Sequence, residues 1–296
     1  MRRGKYYLCA TIHDHDTPLV FLDSCSSVMS IYCLYFYILL AMKSSSNKKE
    51  WFETWFDTPY YHLLYENRNH GEAEQFIVKL LKYLNLSAGA NALDVACGIG
   101  RFSIALAKHN LNVVGIDLSL RNIEHTGIHE SENLSFYQHD MREIFYVNYF
   151  DAVFNMFTSF GFFNLERDHL KSVRAMSHAL KKGGKLVIDF FNSEKILKTL
   201  IPQQQFTKNN ILFNIRKSIE ENQAGFTREV IVKKIYFQDK GTEHEFEERV
   251  MALRLADFKK YFEANHLKLV DVFGDYNLNA FDEMKSDRMI LIAEKT

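Results

Sequence analysis

Between Ala92 and Ser119 the chain reads ALDVACGIGRFSIALAKHNLNVVGIDLS, an order of apolar run, glycine turn, helical face, second apolar run and closing acid that few folds accommodate. Ala92, Leu93, Val95 and Ala96 predict a strand, Gly98 and Gly100 a turn, and Phe102, Ile104, Ala105 and Leu106 the inner face of a helix. A second strand over Asn112 to Ile116 ends at Asp117, which a parallel crossover brings to the carboxyl edge beside the first turn. A carboxylate there can accept from both hydroxyls of a ribose.

Glycine is needed at Gly98 and Gly100 because a ligand over the turn approaches the backbone more closely than a β-carbon allows. The helix beginning near Gly100 offers unpaired amides and a positive dipole end to an anionic group. A dinucleotide could use this, and so could the carboxylate of an amino-acid-bearing cofactor. The pattern is D-x-x-C-G-x-G-R rather than G-x-G-x-x-G, with Ser103 where the last glycine would stand, which weakens a nicotinamide reading.

Further strands are expected near Leu134 to Gln138, Ala152 to Met156 and Lys185 to Phe190, with helices at Arg101 to His109, Arg121 to Ile128 and His169 to Leu180. Such alternation implies a parallel sheet covered on both faces. KKGG at Lys181 to Gly184 is expected to close the last helix with a left-handed glycine cap. After Phe191 the alternating segments Ile211 to Ser218, Glu229 to Phe237 and Glu243 to Leu253 predict an antiparallel three-stranded insertion, residues 206–253. Helix is expected again at Ala256 to Ala264, and strands at Lys268 to Phe273 and Arg288 to Ala293.

At these residues the chain resembles the class I S-adenosylmethionine-dependent methyltransferases over roughly Lys49 to Lys295. LDVACGIGR is similar to that family's cofactor loop, VVGIDLS to its ribose-binding strand end, QHDMRE to its adenine-binding turn, and FDAVFNMFTSFGFF to its fourth strand and the loop beneath the methyl group. The resemblance implies an α/β fold, a Rossmann-like seven-stranded methyltransferase sheet with an inserted antiparallel β sub-lobe, and S-adenosyl-L-methionine as cofactor. It implies cofactor contacts from Asp94, Ala96, Gly98, Gly100, Arg101, Asp117, Leu118, Asp140, Met141 and Asn155. Within that set Asp94 organises the loop and the amino group, Asp117 the ribose, and Asp140 with Met141 the adenine. Methyltransferases of amide or adenine nitrogens commonly carry an Asn-Pro-Pro-Tyr-like run at the fourth strand; NMFT stands here instead.

Lysine and arginine total 36 against 37 for aspartate and glutamate, so no strong field for a phosphate backbone is present and bulk nucleic-acid binding is not implied. Four cysteines lack paired metal spacing, which fits a reducing, cytoplasmic setting. Residues 1–48 do not resemble the remainder, residues 49–296. Ser27 to Met42 is apolar but shorter than the ~20 residues of a spanning helix, and it lies far from the basic start for a signal peptide. Two readings stand: a short membrane or packing segment, or a mis-assigned start with translation beginning at Met42. The second is favoured, and with it no membrane partner is expected. The sequence leaves the oligomeric state open.

Each candidate site has a bland counterpart. Asp94 and Asp117 could be strand-end polar residues, and Asp140 a surface turn. Of Phe157, Phe160, Phe162 and Phe163, two are expected in the core and the others around the methyl site, with Phe157, Ser159 and Phe160 assigned to the acceptor. Tyr60, Tyr61, His62 and Tyr65 resemble the family's amino-terminal lid, with Tyr60 and Tyr65 as acceptor contacts. Tyr61, His62 and Asp140 are candidates for a general base where the acceptor arrives protonated, and Tyr61, His62 and Asn155 are the candidate catalytic residues. His125 and His129 stand four apart without a third ligand and read as a solvated helix face, and Cys97 as a small residue tolerated in the loop. The expected function is methyl transfer to an unidentified acceptor, with a small molecule preferred. The alternatives are a nicotinamide-dependent oxidoreductase and a non-catalytic cofactor-binding partner subunit.

Overall fold

The structure, a computed structural model, describes residues 50–65, 70–222, 224 and 226–296. The apolar leader, residues 1–48, lies outside the described residues. Two short helices, α1 (Trp51–Trp55) and α2 (Pro59–Tyr65), break at Pro59, whose missing N–H and fixed φ suit a first helical turn. They lead to α3 (His70–Leu84). Phe76, Ile77, Leu80 and Leu84 recur at helical spacing and are buried, each burial worth roughly 1.5–3 kcal/mol.

The alternating core follows as β1 (Asn91–Val95), α4 (Arg101–Lys108), β2 (Asn112–Asp117), α5 (Leu120–Thr126), β3 (Leu134–Gln138), β4 (Phe150–Asn155), α6 (Glu166–Ala179) and β5 (Leu180–Phe191). After the insertion come α8 (Leu255–Glu263), β10 (Leu267–Phe273) and β11 (Arg288–Lys295). Among the described residues the main sheet has seven strands in the order β10-β11-β5-β4-β1-β2-β3. β5, β4, β1, β2 and β3 are parallel, and β11 and β10 close the edge antiparallel.

Period-two alternation divides the core between the sheet's faces. Ala152, Phe154, Val187 and Ile290 pack with α3 and α4, whereas Val153, Ile188 and Leu291 pack with Val173 and Met176 of α6 and Phe258 and Phe262 of α8. Reversal of strand order at β4-β1-β2 leaves a crevice at the carboxyl ends, where open α/β sheets hold their ligands.

The insertion differs from expectation by one strand. Between α7 (Ser193–Thr199) and α8 lies a four-stranded antiparallel sheet of β6 (Gln203–Lys208), β7 (Ile211–Glu221), β8 (Glu229–Asp239) and β9 (Thr242–Met251). β6 is an edge strand whose QQQFTK side chains are largely exposed, so it pairs through its backbone and carries no apolar signature. The expected glycine cap at KKGG also fails: α6 ends at Ala179, and Gly183, at φ 77°, lies in the irregular start of β5, where the register against β4 shifts. Among the described residues no helix is long and apolar enough to cross a membrane.

Candidate active site

The turn after β1 is a left-handed bend held from two strands. Ala96, Gly98 and Gly100 have φ of 58°, 57° and 77°. The Cys97 amide donates to Ile116 of β2 at 3.0 Å, and the Gly100 amide to Cys97 at 3.0 Å. The two glycines serve different ends. A β-carbon on Gly100 would lie 2.8 Å from the Phe136 ring, so this glycine lets β3 pack under the helix start; one on Gly98 would meet nothing within 4 Å, because it faces open space.

Asp117 closes the bend from β2. Its Oδ2 accepts from the Gly98 amide at 2.8 Å, and its Oδ1 accepts from the Ser119 amide at 2.9 Å and from Asn122 Nδ2 at 3.2 Å. Burial raises its pKa, and the Ser119 and Gly98 amides act against the rise. Asp94, at the end of β1, is buried more deeply; burial pushes it up to about 7, opposed by Ser103, whose hydroxyl donates to Oδ2 at 2.6 Å. Burial also lifts the Cys97 thiol well above its usual range, so it is no nucleophile at neutral pH.

The lid, α1 with α2, crosses above this edge. Ser119 donates its hydroxyl proton to Asp57 at 2.6 Å, and His62 Nε2 stands 2.8 Å from Asn122 Oδ1. Because Asn122 turns its amide nitrogen to Asp117, its oxygen faces the imidazole, which assigns the proton to Nε2 and leaves Nδ1 with the lone pair. Burial lowers the His62 pKa, favouring the neutral ring. At its other side the lid clasps the insertion: Trp55 Nε1 and the Tyr65 hydroxyl donate to Glu248 Oε1 at 2.7 and 2.8 Å, and Lys233 Nζ lies 3.3 Å from Oε2.

The loop after β4 forms the floor. Phe157 and Thr158 both adopt left-handed φ, near 60°, held by Asp189 at the end of β5. The Asp189 carboxylate accepts from the Phe157 amide at 2.9 Å, the Tyr276 hydroxyl at 2.9 Å and Arg288 Nε at 2.8 Å, while its carbonyl accepts from the Thr158 amide at 2.8 Å.

These elements enclose one cavity of about 580 Å³. Of the residues expected at the site, Asp94, Ala96, Gly98, Arg101 and Asp117 line it from the sheet edge, Tyr61, His62 and Tyr65 from the lid, and Phe157 and Ser159 from the floor. Phe160 does not: it is fully buried against His169 and Phe258, and with Phe163 makes up the core pair of the four phenylalanines, while Phe162 joins the wall. Asn155 is also fully buried and donates to the Val95 carbonyl at 3.0 Å, so it braces β4 against β1. Asp140 is engaged by Arg142 at 2.6 Å, Met141 packs toward the core, and neither lines the cavity, nor do Gly100 and Leu118. Tyr60 turns to the insertion, where its hydroxyl donates to Asp239 at 2.9 Å.

Sequence reasoning missed Trp51, Phe56 and Asn122 on the sheet and lid side, and Lys217, Lys233 and Glu248 on the insertion. Trp51 and Phe56 pack edge-on or tilted against Phe162 at 5.2 and 5.3 Å, and the aromatic run from Trp51 to Tyr65 is the sequence signal that could have found them. Nothing in the sequence marks the three insertion residues, whose place follows from strand register.

This architecture is shared with solved methyltransferases. An S-adenosylmethionine-dependent methyltransferase from Clostridium acetobutylicum superposes with a TM-score of 0.67 at 19% identity, over 80% of this chain and 96% of that one. CalS10, an amino pentose methyltransferase from Micromonospora echinaspora solved with S-adenosylmethionine bound, gives 0.60 at 18% identity, over 81% and 98%. In sequence, YqeM of Bacillus subtilis, a protein named as a methyltransferase, is 34% identical over 117 residues, 38% of this chain; the chain spans 47% of that relative's length. The model of the methyltransferase domain matches residues 86–249, more than half of the chain, and the protein therefore belongs to this family of S-adenosylmethionine-dependent methyltransferases.

Proposed function

We propose that the protein holds S-adenosylmethionine between the Gly98 turn and Asp117 and directs its methyl group to a small-molecule acceptor seated under the lid and the insertion sheet. The observation that carries this reading is the continuity of the cavity, whose wall runs from Asp94, Gly98 and Asp117 to Tyr61, Tyr65 and Lys233. Its volume falls within the range of small-molecule sites, and its roof of lid and insertion suits a compact acceptor better than a polymer. The balanced overall charge supports the same choice.

The residues present fit the cofactor. Open space in front of Gly98 admits a ligand against bare backbone. The Asp117 carboxylate has about four lone-pair directions, of which Gly98, Ser119 and Asn122 occupy three, leaving acceptor capacity for a ribose hydroxyl. Asp94, once ionised, offers a buried counter-charge to an ammonium group.

When bound, the cofactor supplies a methyl group made electrophilic by its sulfonium. The chain's own contribution is alignment and dryness, and fixed orientation alone is worth about 7–11 kcal/mol in model systems. Phe157, Phe162, Trp51 and Phe56 exclude water and present aromatic faces or edges to the chamber. An acceptor that arrives protonated needs a base, and His62, neutral and with its lone pair on Nδ1, suits that role. The free thiol of Cys97 in the wall suits a reducing cytoplasmic setting.

Two measurements test the reading. Calorimetry with S-adenosylhomocysteine should show binding. Incubation of a cell extract with methyl-labelled S-adenosylmethionine should, only when the enzyme is added, place label in a small molecule other than the cofactor. Absence of S-adenosylhomocysteine binding sinks the cofactor site, and enzyme-dependent label confined to macromolecules sinks the acceptor class.

A further inference from the structure

The insertion contributes one row of charge to the cavity. β7, β8 and β9 pair so that Lys217 stands opposite Lys233, and Lys233 opposite Glu248, and all three side chains line the chamber. The neighbouring rows on the same face are apolar: Ile215, Ile235 and Phe246 on one side, Ile219, Ile231 and Val250 on the other. Two like charges directly opposite on a mostly apolar face destabilise a sheet unless something of opposite sign is near.

Glu248 answers only half of this. It is 14% exposed, and its two oxygens already take four contacts, from Trp55 Nε1, from the Tyr65 hydroxyl, which reaches both oxygens, and from Lys233, so its charge is engaged by the lid and by Lys233. Lys217 lies two strand spacings from Glu248, roughly 9–10 Å across the ladder. Among the described residues the Lys217 ammonium has no carboxylate or other acceptor, although the residue is half-buried and its backbone is pinned by a 2.8 Å hydrogen bond from its amide to the Pro202 carbonyl. A cation without an acid, carried on a backbone held in place inside an aromatic and apolar chamber, is the charge pattern of a site completed by an anion.

We infer that the acceptor carries an anionic group, a carboxylate or a phosphate, received by Lys217 on the insertion side of the chamber, with its apolar body against the aromatic wall. This rests on the methyltransferase reading of the same cavity. Lysine suits the task because a point charge on a flexible stem meets either anion without a fixed fork. Lys217 is thus a specificity residue, while the Tyr65, Lys233 and Glu248 cluster beside it is internally paired and serves to hold lid and insertion together.

The test uses the full chain saturated with S-adenosylhomocysteine and three probes of one ring: benzoate, phenyl phosphate and the neutral benzamide. Binding is read by saturation-transfer NMR titration. At least one anion should bind about tenfold more tightly than benzamide, the worth of one charge-assisted hydrogen bond, and the stronger of the two identifies which anion the site prefers. Lys217→Met should erase the preference. Lys234→Met, whose lysine pairs with Glu247 at 3.8 Å on the other face, should retain it. Equal binding of all three probes, binding of none, or a preference that survives Lys217→Met overturns the inference. Failure to bind S-adenosylhomocysteine is scored separately, because it overturns the methyltransferase reading instead.

Discussion

Asp117 Oδ2 accepts the Gly98 amide proton at 2.8 Å, so the acid at the end of β2 and the bare backbone after β1 form one unit. Asp117 shapes the turn as well as offering charge to a ligand. Replacement by alanine removes the carboxylate and leaves the Gly98 amide without its acceptor. Affinity for S-adenosylhomocysteine is expected to fall at least about thirtyfold, the equivalent of about 2 kcal/mol for a lost charge-assisted contact. Calorimetry that finds the affinity of Asp117→Ala unchanged would remove Asp117 from the cofactor site.

Gly98 and Gly100 should separate binding from folding. In Gly100→Ala the new methyl meets the Phe136 ring at 2.8 Å on a backbone with φ of 77°, so overpacking and strain add, and a stability loss of about 2–4 kcal/mol is expected. Gly98→Ala suffers the left-handed strain alone, about 1–2 kcal/mol, but its methyl projects into the chamber. Denaturant unfolding should rank Gly100→Ala as the more damaged, while Gly98→Ala loses more affinity for S-adenosylhomocysteine per unit of stability lost. The opposite ranking would mean that Gly98 does not face the ligand.

The strand, turn, helix and strand unit is legible because its signals are local: apolar runs of strand length, glycines where φ is positive, and an acid at the second strand's end. What escaped notice was set by pairing partners, which apolar periodicity does not report, whether they stand near or far in sequence. β6 is polar and exists because β7 offers it an edge, and Asp140 is taken up by Arg142, which its own spacing did not reveal. Asn155 and Phe160 sit where a ligand contact was expected, yet each turns into the core at the end of β4 or just beyond it. Along a strand the choice between cavity and core is one residue of register, and the insertion's Lys217, Lys233 and Glu248 entered the cavity by that rule.

Asp94 should give cofactor binding a pH dependence. Its carboxyl is pushed up to about 7, above the value near 4 of an unfolded chain, so between these the folded protein keeps a proton that the unfolded chain releases. Stability therefore declines as pH rises through this window. A cofactor ammonium group favours the ionised form, so affinity should rise with pH, by up to about tenfold per unit, and level off above about 7. Calorimetric titrations with S-adenosylhomocysteine from pH 5.5 to 8 should show the rise in the wild type and its loss in Asp94→Asn. A wild-type profile that is flat would contradict a charge interaction at Asp94.

The floor of the chamber depends on a buried ion pair. Asp189 is fully buried and holds Phe157 and Thr158 in left-handed backbone, while Arg288 supplies its counter-charge at 2.7 Å with its own side chain 18% exposed. Removing only the cation strands the carboxylate among β5, Tyr276 and the loop, and breaking such a pair costs about 3–5 kcal/mol. Arg288→Met is expected to lose that much in denaturant unfolding. At a temperature where it remains folded, it should also bind S-adenosylhomocysteine more weakly, because the strained Phe157 and Thr158 conformation has lost part of its clamp. Arg288→Lys keeps the charge but not the Nε contact, and should recover most of the stability and less of the binding. A loss below about 1 kcal/mol in Arg288→Met would mean that the loop holds its conformation without the pair, and that Phe157 is placed by packing rather than by Asp189.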